Sequence, residues 1–395
     1  MESAAFDPRR FLRCGASGLL LFVAAALGAA SAVSAAPGES PTPSAEARAA
    51  RVAAAFADLA ATPGPGCAVG IARDEQLVHA AGYGLANLEY DIPLGADSVF
   101  RVGSVSKQFT AAAVALAVEQ GLLSLDDTLG KHLPELDESV HPVTVRQVIG
   151  HVGGLPDYES QELDATLRDA AGNPFTFGNE DHLHTEEFFE ATRAVVLKQP
   201  PETRWEYSNI GYFWLGQIVE RVTGESLRDF ADRHLFAPAG MRDSQFNDDA
   251  NRVVKRRASG YSPLEDGGYE VFETNLDWVG EGGVYTSVND LARWNAQFAA
   301  PTIGADPEAL RARLITPVSE LPVGDDAGAP RYAFGLNVGT DAEGRRYVAH
   351  SGGWVAFRAY YKRFLDDGLA YWVLCNRWDA DIGRRTTAIE RAYLD

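Results

Sequence analysis

The sequence predicts an α+β fold in which one sheet is built from both ends of the chain and a mostly helical lobe is inserted between them. Three observations carry this. Two apolar runs with strand character, Cys67 to Ala72 and Leu77 to Gly82, flank the polar turn Arg73 to Gln76. The middle of the chain, about 125–258, is dominated by helical periodicity, clearest in Phe188 to Leu197, Tyr212 to Val222 and Leu227 to His234. After about Val271 strand-like runs return, and a helix over Ile382 to Leu394 follows them.

Taken in order, Arg9, Arg10 and Arg13 precede an apolar stretch from Gly18 to Ala29, and small residues then offer cleavage sites at Ala30-Ser31-Ala32 and Val33-Ser34-Ala35. The stretch is short for a membrane span of ~20 residues. Residues 1–36 therefore read as a signal peptide, with Arg9-Arg10 a weak twin-arginine hint. The expectation is an exported protein, periplasmic or secreted, with no stable membrane span after the signal is removed. A Pro/Ser/Gly linker over 37–43 leads to Ser44, which caps a helix from Ala45 to Ala61. Pro63-Gly64-Pro65-Gly66 breaks that helix. Phe100 to Val102 leads into a helix from Ser104 to Gln120, ended by Gly121. Ser287, with Asp290 three residues on, opens a further helix carrying Leu291, Trp294 and Phe298. Strands are expected over Tyr332 to Val338, Tyr347 to His350, Phe357 to Phe364 and Leu369 to Cys375. The expected organisation is one domain over 44–395, with an α/β lobe over 44–124 and 259–395 and a helical lobe over 125–258.

The 395 residues are 46% hydrophobic and 23% charged, which supplies a large core and argues against wholesale disorder. A net charge of −20 repels phosphate backbones and anionic lipid heads, so no nucleic-acid partner is expected. The glycines before Cys67 precede a strand and open no helix, which excludes a dinucleotide fingerprint there. No C-x-x-C occurs. Cys67 and Cys375 each sit in an apolar run and read as two buried free thiols, although an oxidising compartment permits a disulfide. His182 and His184 among Asp181, Glu186 and Glu187 read as a solvated acidic loop; neither metal nor cofactor is expected.

Three short motifs bear chemistry. In Ser104-Val105-Ser106-Lys107, helical spacing puts Ser104 and Lys107 on one face, and a serine needs such a neighbouring base to become a nucleophile. The helix start also favours negative charge at Ser104. The bland alternative is a capping serine and a surface lysine. In Tyr207-Ser208-Asn209, the tyrosine can hold or pass on the proton that Ser104 loses, while the Asn209 amide accepts from Lys107 and donates to a substrate carbonyl. The alternative is a turn before a helix. In His350-Ser351-Gly352-Gly353-Trp354, glycines let a substrate backbone approach a strand edge, and the Gly353 N–H can pair with that of Ser104 as an oxyanion hole. A plain hairpin turn is the alternative. Arg358 reads either as an anion contact in the cleft or as an ion pair, and Trp354 either as the roof of an acyl pocket or as packing between lobes.

With these motifs in this order, the chain resembles the serine β-lactamase and DD-peptidase superfamily, in the branch of class C β-lactamases, D-alanyl-D-alanine carboxypeptidases and related esterases. Phe100-Arg101-Val102-Gly103, Gly121 to Leu129, Gly154-Leu155-Pro156-Asp157-Tyr158, Val222-Thr223-Gly224, Pro238 to Met241 and Gly282-Gly283-Val284-Tyr285 look like the segments that flank the three motifs in that family. The resemblance covers roughly residues 45 to 394. It implies a β-lactamase/transpeptidase-like fold, an antiparallel sheet flanked by helices with the mostly helical lobe inserted and the site between them. It implies Ser104 as nucleophile, Lys107 and Tyr207 sharing the proton work, and Asn209, His350, Ser351, Gly352 and Gly353 binding substrate. It also places Cys67 and Cys375 on neighbouring strands, which raises the disulfide alternative without deciding it. Two departures matter. His350 stands where many β-lactamases carry lysine, and His151-Val152-Gly153 replaces the usual His-Thr-Ser. The expected function is a serine hydrolase acting through a Ser104 acyl-enzyme on a small or peptide substrate with a scissile amide or ester, carboxypeptidase- or esterase-like. A true β-lactamase, and a non-catalytic binding or scaffold protein on the same fold, are the alternatives.

Overall fold

The computed structural model describes residues 43–394, apart from 62, 159–166, 169–170, 173–174, 176 and 327. The expected signal segment and the linker up to residue 42 lie outside these residues, as does much of the segment between 159 and 176.

The sheet takes its strands from both ends of the chain. Cys67–Arg73 (β1) and Gln76–Tyr83 (β2) come from the first end. Arg331–Tyr332 (β3), Asn337–Thr340 (β4), Arg346–Trp354 (β5), Phe357–Phe364 (β6) and Leu369–Cys375 (β7) come from the second. Their order is β3-β4-β5-β6-β7-β1-β2, and every neighbouring pair is antiparallel. The stretch expected as one strand, Tyr332 to Val338, is broken into β3 and β4. At Gly335 the chain takes φ +75° and passes so close to the backbone of Lys107 and Gln108 that a Cβ would lie 2.3 Å from Gln108 N. Glycine allows the turn and the close approach at once.

Both faces of the central strands are covered, so β1 and β7 read as continuous apolar runs rather than alternating ones. On one face Val69, Ile71, Tyr371 and Val373 pack against Val52 and Phe56 at the N-terminal helix Ala45–Ala55 (α1) and Ile389 of the C-terminal helix Ile382–Leu394. Ser44 caps α1, accepting from the Ala47 N–H at 3.2 Å. On the other face Ala68, Ala72, Trp372 and Leu374 join a core that contains Phe109 and the apolar side of Lys107–Glu119 (α2). Helix α2 is buried around its whole circumference from Lys107 to Ala117, and its buried polar residues Gln108 and Thr110 are paired with Trp294 and with the Val105 and Gly280 carbonyls.

The middle of the chain contributes helices including Val145–Ile149, Thr185–Thr192 and Asn209–Thr223 (α3). It also gives Gln245–Phe246 to a small sheet with Val99–Arg101 and Val284–Ser287. Ser287 caps the helix Val288–Ala296 by accepting from Asp290 N–H, as its sequence signature predicts. Among the described residues no helix is long and apolar enough to cross a membrane.

The reading of Cys67 and Cys375 as free thiols is overturned. They are directly opposite one another in the β1–β7 register and form a disulfide across 308 residues of sequence. Local apolar pattern identifies each strand but not its neighbour, which is why the pair escapes a reading of either run alone. Replacing both cysteines by alanine is expected to cost about 2–4 kcal/mol of stability, mainly by freeing the unfolded chain. Urea unfolding with the same midpoint before and after would refute this.

Candidate active site

The site begins where the small sheet hands the chain to α2. Gly103–Ser106 forms a 3-10 turn ahead of α2, so the expected single helix from Ser104 starts in a tighter coil. With three residues per turn, positions i and i+3 eclipse one another, which stacks Lys107 directly against Ser104. Lys107 Nζ lies 3.2 Å from Ser104 Oγ. It donates also to Asn209 Oδ1 at 2.6 Å and to the Glu281 carbonyl at 2.7 Å. The lysine is wholly buried, not the surface residue of the bland alternative.

The tyrosine motif arrives from the helical part. Ser208 caps α3, its hydroxyl accepting from Gly211 N–H and donating to the Pro156 carbonyl. This fixes the residue before it, Tyr207, whose hydroxyl donates to Ser104 Oγ at 2.8 Å. Lys107 Nζ also sits 4.7 Å from the centre of the Tyr207 ring, a cation–π placement. Asn209 is clamped by Asp157, which accepts from its backbone N–H and from its amide, both at 3.0 Å.

The third motif lies on β5, which runs through Trp354 instead of turning after His350. Trp354 and Phe357 then close a two-residue turn, so antiparallel alternation leaves the Gly353–Arg358 pair outside the hydrogen-bonded set and turns the Gly353 N–H away from β6. Gly352 faces the nucleophile turn. A Cβ there would lie 2.0 Å from the Val102 carbonyl oxygen and 3.1 Å from Ser104 N. Only glycine admits the strand this close to the 3-10 turn.

His350 is neutral. Its Nδ1–H donates to the Ser351 carbonyl at 2.6 Å, and its Nε2 accepts from the Tyr332 hydroxyl at 2.8 Å. Burial, helped by the nearby Lys107 charge, pushes its pKa down to about 4. His151, behind Tyr207, is held well below the ordinary histidine range by burial, with Lys107 and His350 adding to it. Its Nδ1 accepts from the Ser208 N–H at 3.1 Å, which props up the tyrosine turn. Unfolded histidine titrates near ~6.5, so as pH falls below that value the unfolded chain takes up protons that the native site refuses. The stability from His350 is full above this pH and lost as pH drops toward 4, worth up to about 3 kcal/mol. A His350→Asn variant is therefore expected to show a flatter dependence of Tm on pH between 6.5 and 4. Equal slopes in the two proteins would contradict the assignment.

Two clefts meet at Ser104, Asn209 and Gly353. The larger, about 750 Å³, is lined by Trp205, Tyr207, Tyr332, His350 and Ser351. The smaller, about 260 Å³, is lined by Arg101, Tyr158, Glu281 and Trp354. Trp354 thus takes the pocket-lining position, with the Arg101 guanidinium 5.5 Å from its ring. Among the described residues Arg358 forms no ion pair. It stacks 3.5 Å from the Trp378 ring centre and donates to the Val355 and Phe357 carbonyls. Burial lowers its pKa to about 10. His184 pairs with Asp277 at 2.7 Å.

The structure brings Ser104, Lys107, Tyr207, Asn209, His350, Ser351, Gly352 and Gly353 to one place. Four further residues escaped the sequence reading as site groups: Asp157, His151, Tyr332 and Glu281. Asp157 and His151 lie in a segment whose loop character is legible, and Glu281 stands directly before Gly282-Gly283. Nothing local distinguishes Asp157, His151 and Glu281 from ordinary loop residues, or Tyr332 from an ordinary strand residue.

Residues 52–394 match the family model described as beta-lactamase. The chain belongs to the beta-lactamase family. Among curated relatives in this beta-lactamase group, a D-aminopeptidase of Cereibacter sphaeroides is 27% identical over 79% of this chain and 57% of its own length. Penicillin-binding protein 4* of Bacillus subtilis is 28% identical over 72% of this chain and 62% of its own. The chain thus spans somewhat over half of each relative. The penicillin-binding protein homologue from Pyrococcus abyssi superposes with TM-score 0.72 at 24% identity, covering 88% of this chain and 76% of that one, which establishes the beta-lactamase fold.

Proposed function

We propose that this protein is an exported serine hydrolase that forms an acyl-enzyme on Ser104 and acts on amides or esters of small D-amino acids. The observation that carries the reading is the convergence of Lys107 Nζ and Tyr207 Oη on one serine oxygen, at 3.2 and 2.8 Å. In the forward step the Lys107–Tyr207 pair, short of one proton as a neutral amine or a phenolate, takes the Ser104 proton as Oγ attacks the scissile carbonyl. The carbonyl oxygen becomes an oxyanion held by the Ser104 and Gly353 N–H groups. The C–N or C–O bond then breaks, and the leaving group departs with the proton returned through Tyr207. Water repeats the sequence on the ester, releasing the acid and restoring Ser104.

Tyr207 lines the larger cleft, so the leaving group that it protonates belongs there. The acyl group then belongs to the smaller cleft, on the other side of Ser104. A neutral His350 supplies no cation for a β-lactam carboxylate, which favours amide or ester turnover over efficient β-lactamase action. The D-aminopeptidase likeness supports D configuration in the acyl group. The basic and apolar pattern of residues 1–36, together with a disulfide of the kind that forms mainly in oxidising compartments, supports export.

The test is ammonia release from D- and L-alaninamide and alcohol release from the D-alanine methyl ester. The D amide and the D ester are expected to turn over, with the L amide at least about tenfold slower. Equal rates for the enantiomers, or no turnover of any of the three, would defeat the reading.

A further inference from the structure

The backbone carbonyl of Glu281 anchors Lys107, but its carboxyl side chain has no part in the chemistry above. The residue is 4% exposed and lines the smaller cleft beside Ser104 and Asn209. Oε1 has the Tyr158 hydroxyl at 3.5 Å, the outer limit of a hydrogen bond. Oε2 is buried with no hydrogen-bond partner. A buried carboxylate oxygen left unpaired is costly, and native structures rarely keep one without a use. Trp278 bonds the carboxyl and the Arg101 charge lies near it, but neither pairs Oε2, and Arg101 Nε is likewise buried without a partner. The position is not a folding accident of a loose loop. The Glu281 carbonyl holds Lys107, the Gly280 carbonyl accepts from Thr110 and the Val284 N–H donates to Ser106, so the segment is tied to α2 on both sides of Glu281.

We infer that Glu281 recognises a positively charged amino group on the acyl part of the substrate, making the smaller cleft a subsite for an aminoacyl group with a free ammonium. The inference rests on the D-aminoacyl reading above and names the residue that enforces it. The Glu281 anion shares the cleft with the Arg101 guanidinium, which sits over the Trp354 ring, and with the Tyr158 ring. A primary ammonium donates to Oε2, the acceptor that Arg101 leaves unpaired. An N-acylated or purely aliphatic acyl group leaves Oε2 buried and unpaired. Burial above all raises the carboxyl's pKa, against the opposing charges of Lys107 and Arg101, and an incoming cation supplies what keeps it ionised.

The test compares kcat/KM for D-alanine p-nitroanilide and D-lactic acid p-nitroanilide, which carries a hydroxyl in place of the ammonium. The wild-type protein is expected to prefer the alanyl compound by about 30-fold or more. Glu281→Gln is expected to lower alanyl turnover about 30-fold and leave lactyl turnover within about threefold. An unchanged preference in a folded Glu281→Gln protein overturns the assignment to Glu281 while leaving the D-aminoacyl reading intact. An equal fall for both compounds also overturns it, since Glu281 would then serve a step common to both. If circular dichroism shows that Glu281→Gln does not fold, Glu281→Asp decides: a retained alanyl preference upholds the role, and its loss in a folded protein overturns it. Wild type that hydrolyses neither compound, while penicillin still acylates Ser104, sinks the D-aminoacyl reading and this inference with it.

Discussion

Replacing Ser104 with alanine is expected to abolish acyl-enzyme formation and to lower kcat/KM by about 10⁵-fold, roughly 7 kcal/mol of transition-state stabilisation. The substitution removes one oxygen, to which Lys107 and Tyr207 both point. Neither partner loses its anchorage. Lys107 keeps Asn209 Oδ1 and the Glu281 carbonyl, and Tyr207 stays on the turn that Ser208 and His151 hold. The fold should therefore survive, and Tm should move by only a few degrees. Intact mass after brief mixing with a penicillin reads the outcome directly. An adduct on wild type and none on Ser104→Ala assigns the nucleophile. An adduct on both places the acylated group elsewhere and ends the mechanism proposed for this serine. Retained biological activity in the alanine variant would instead revive the scaffold alternative.

Lys107→Met is expected to slow acylation by about 10³–10⁴-fold, the usual worth of a positioned general base. Methionine keeps the length and apolar packing of the stem but removes the group that links Ser104, Asn209 and Glu281. Two acceptors, Asn209 Oδ1 and the Glu281 carbonyl, then lose a donor in a buried place, at about 1–3 kcal/mol each. Relief of the burial of an ammonium opposes that cost. The expectation is thus a large kinetic defect with a small net change in stability. Arginine should not rescue, because a planar fork does not fit a site built for a point charge with three donors. Acylation by penicillin in the methionine variant within about tenfold of wild type would show that Tyr207 serves alone.

Much of this site is legible in the residues because its parts are local. The i, i+3 spacing of Ser104 and Lys107 places them together in either a 3-10 turn or an α-helix, so the mistaken helix start left the pairing intact. Ser44 and Ser287 announce helix starts through their own side chains, and the structure shows both caps. The long-range partners behave differently. Asp157 reaches Asn209 and His151 reaches Ser208 across about fifty residues, and Lys107 meets the Glu281 carbonyl across a still longer span. No periodicity in one segment reports on the other.

What the sequence determined by itself is the order of elements, the class of fold and the three motifs, since propensity, capping and apolar period act within a few residues. The tertiary structure alone decided that Cys67 faces Cys375, that β5 continues through Gly353, that Lys107 is buried and that a buried glutamate joins the cleft lining. Each depends on which strands and loops become neighbours, and that follows from burying both faces of one sheet whose strands come from opposite ends of the chain.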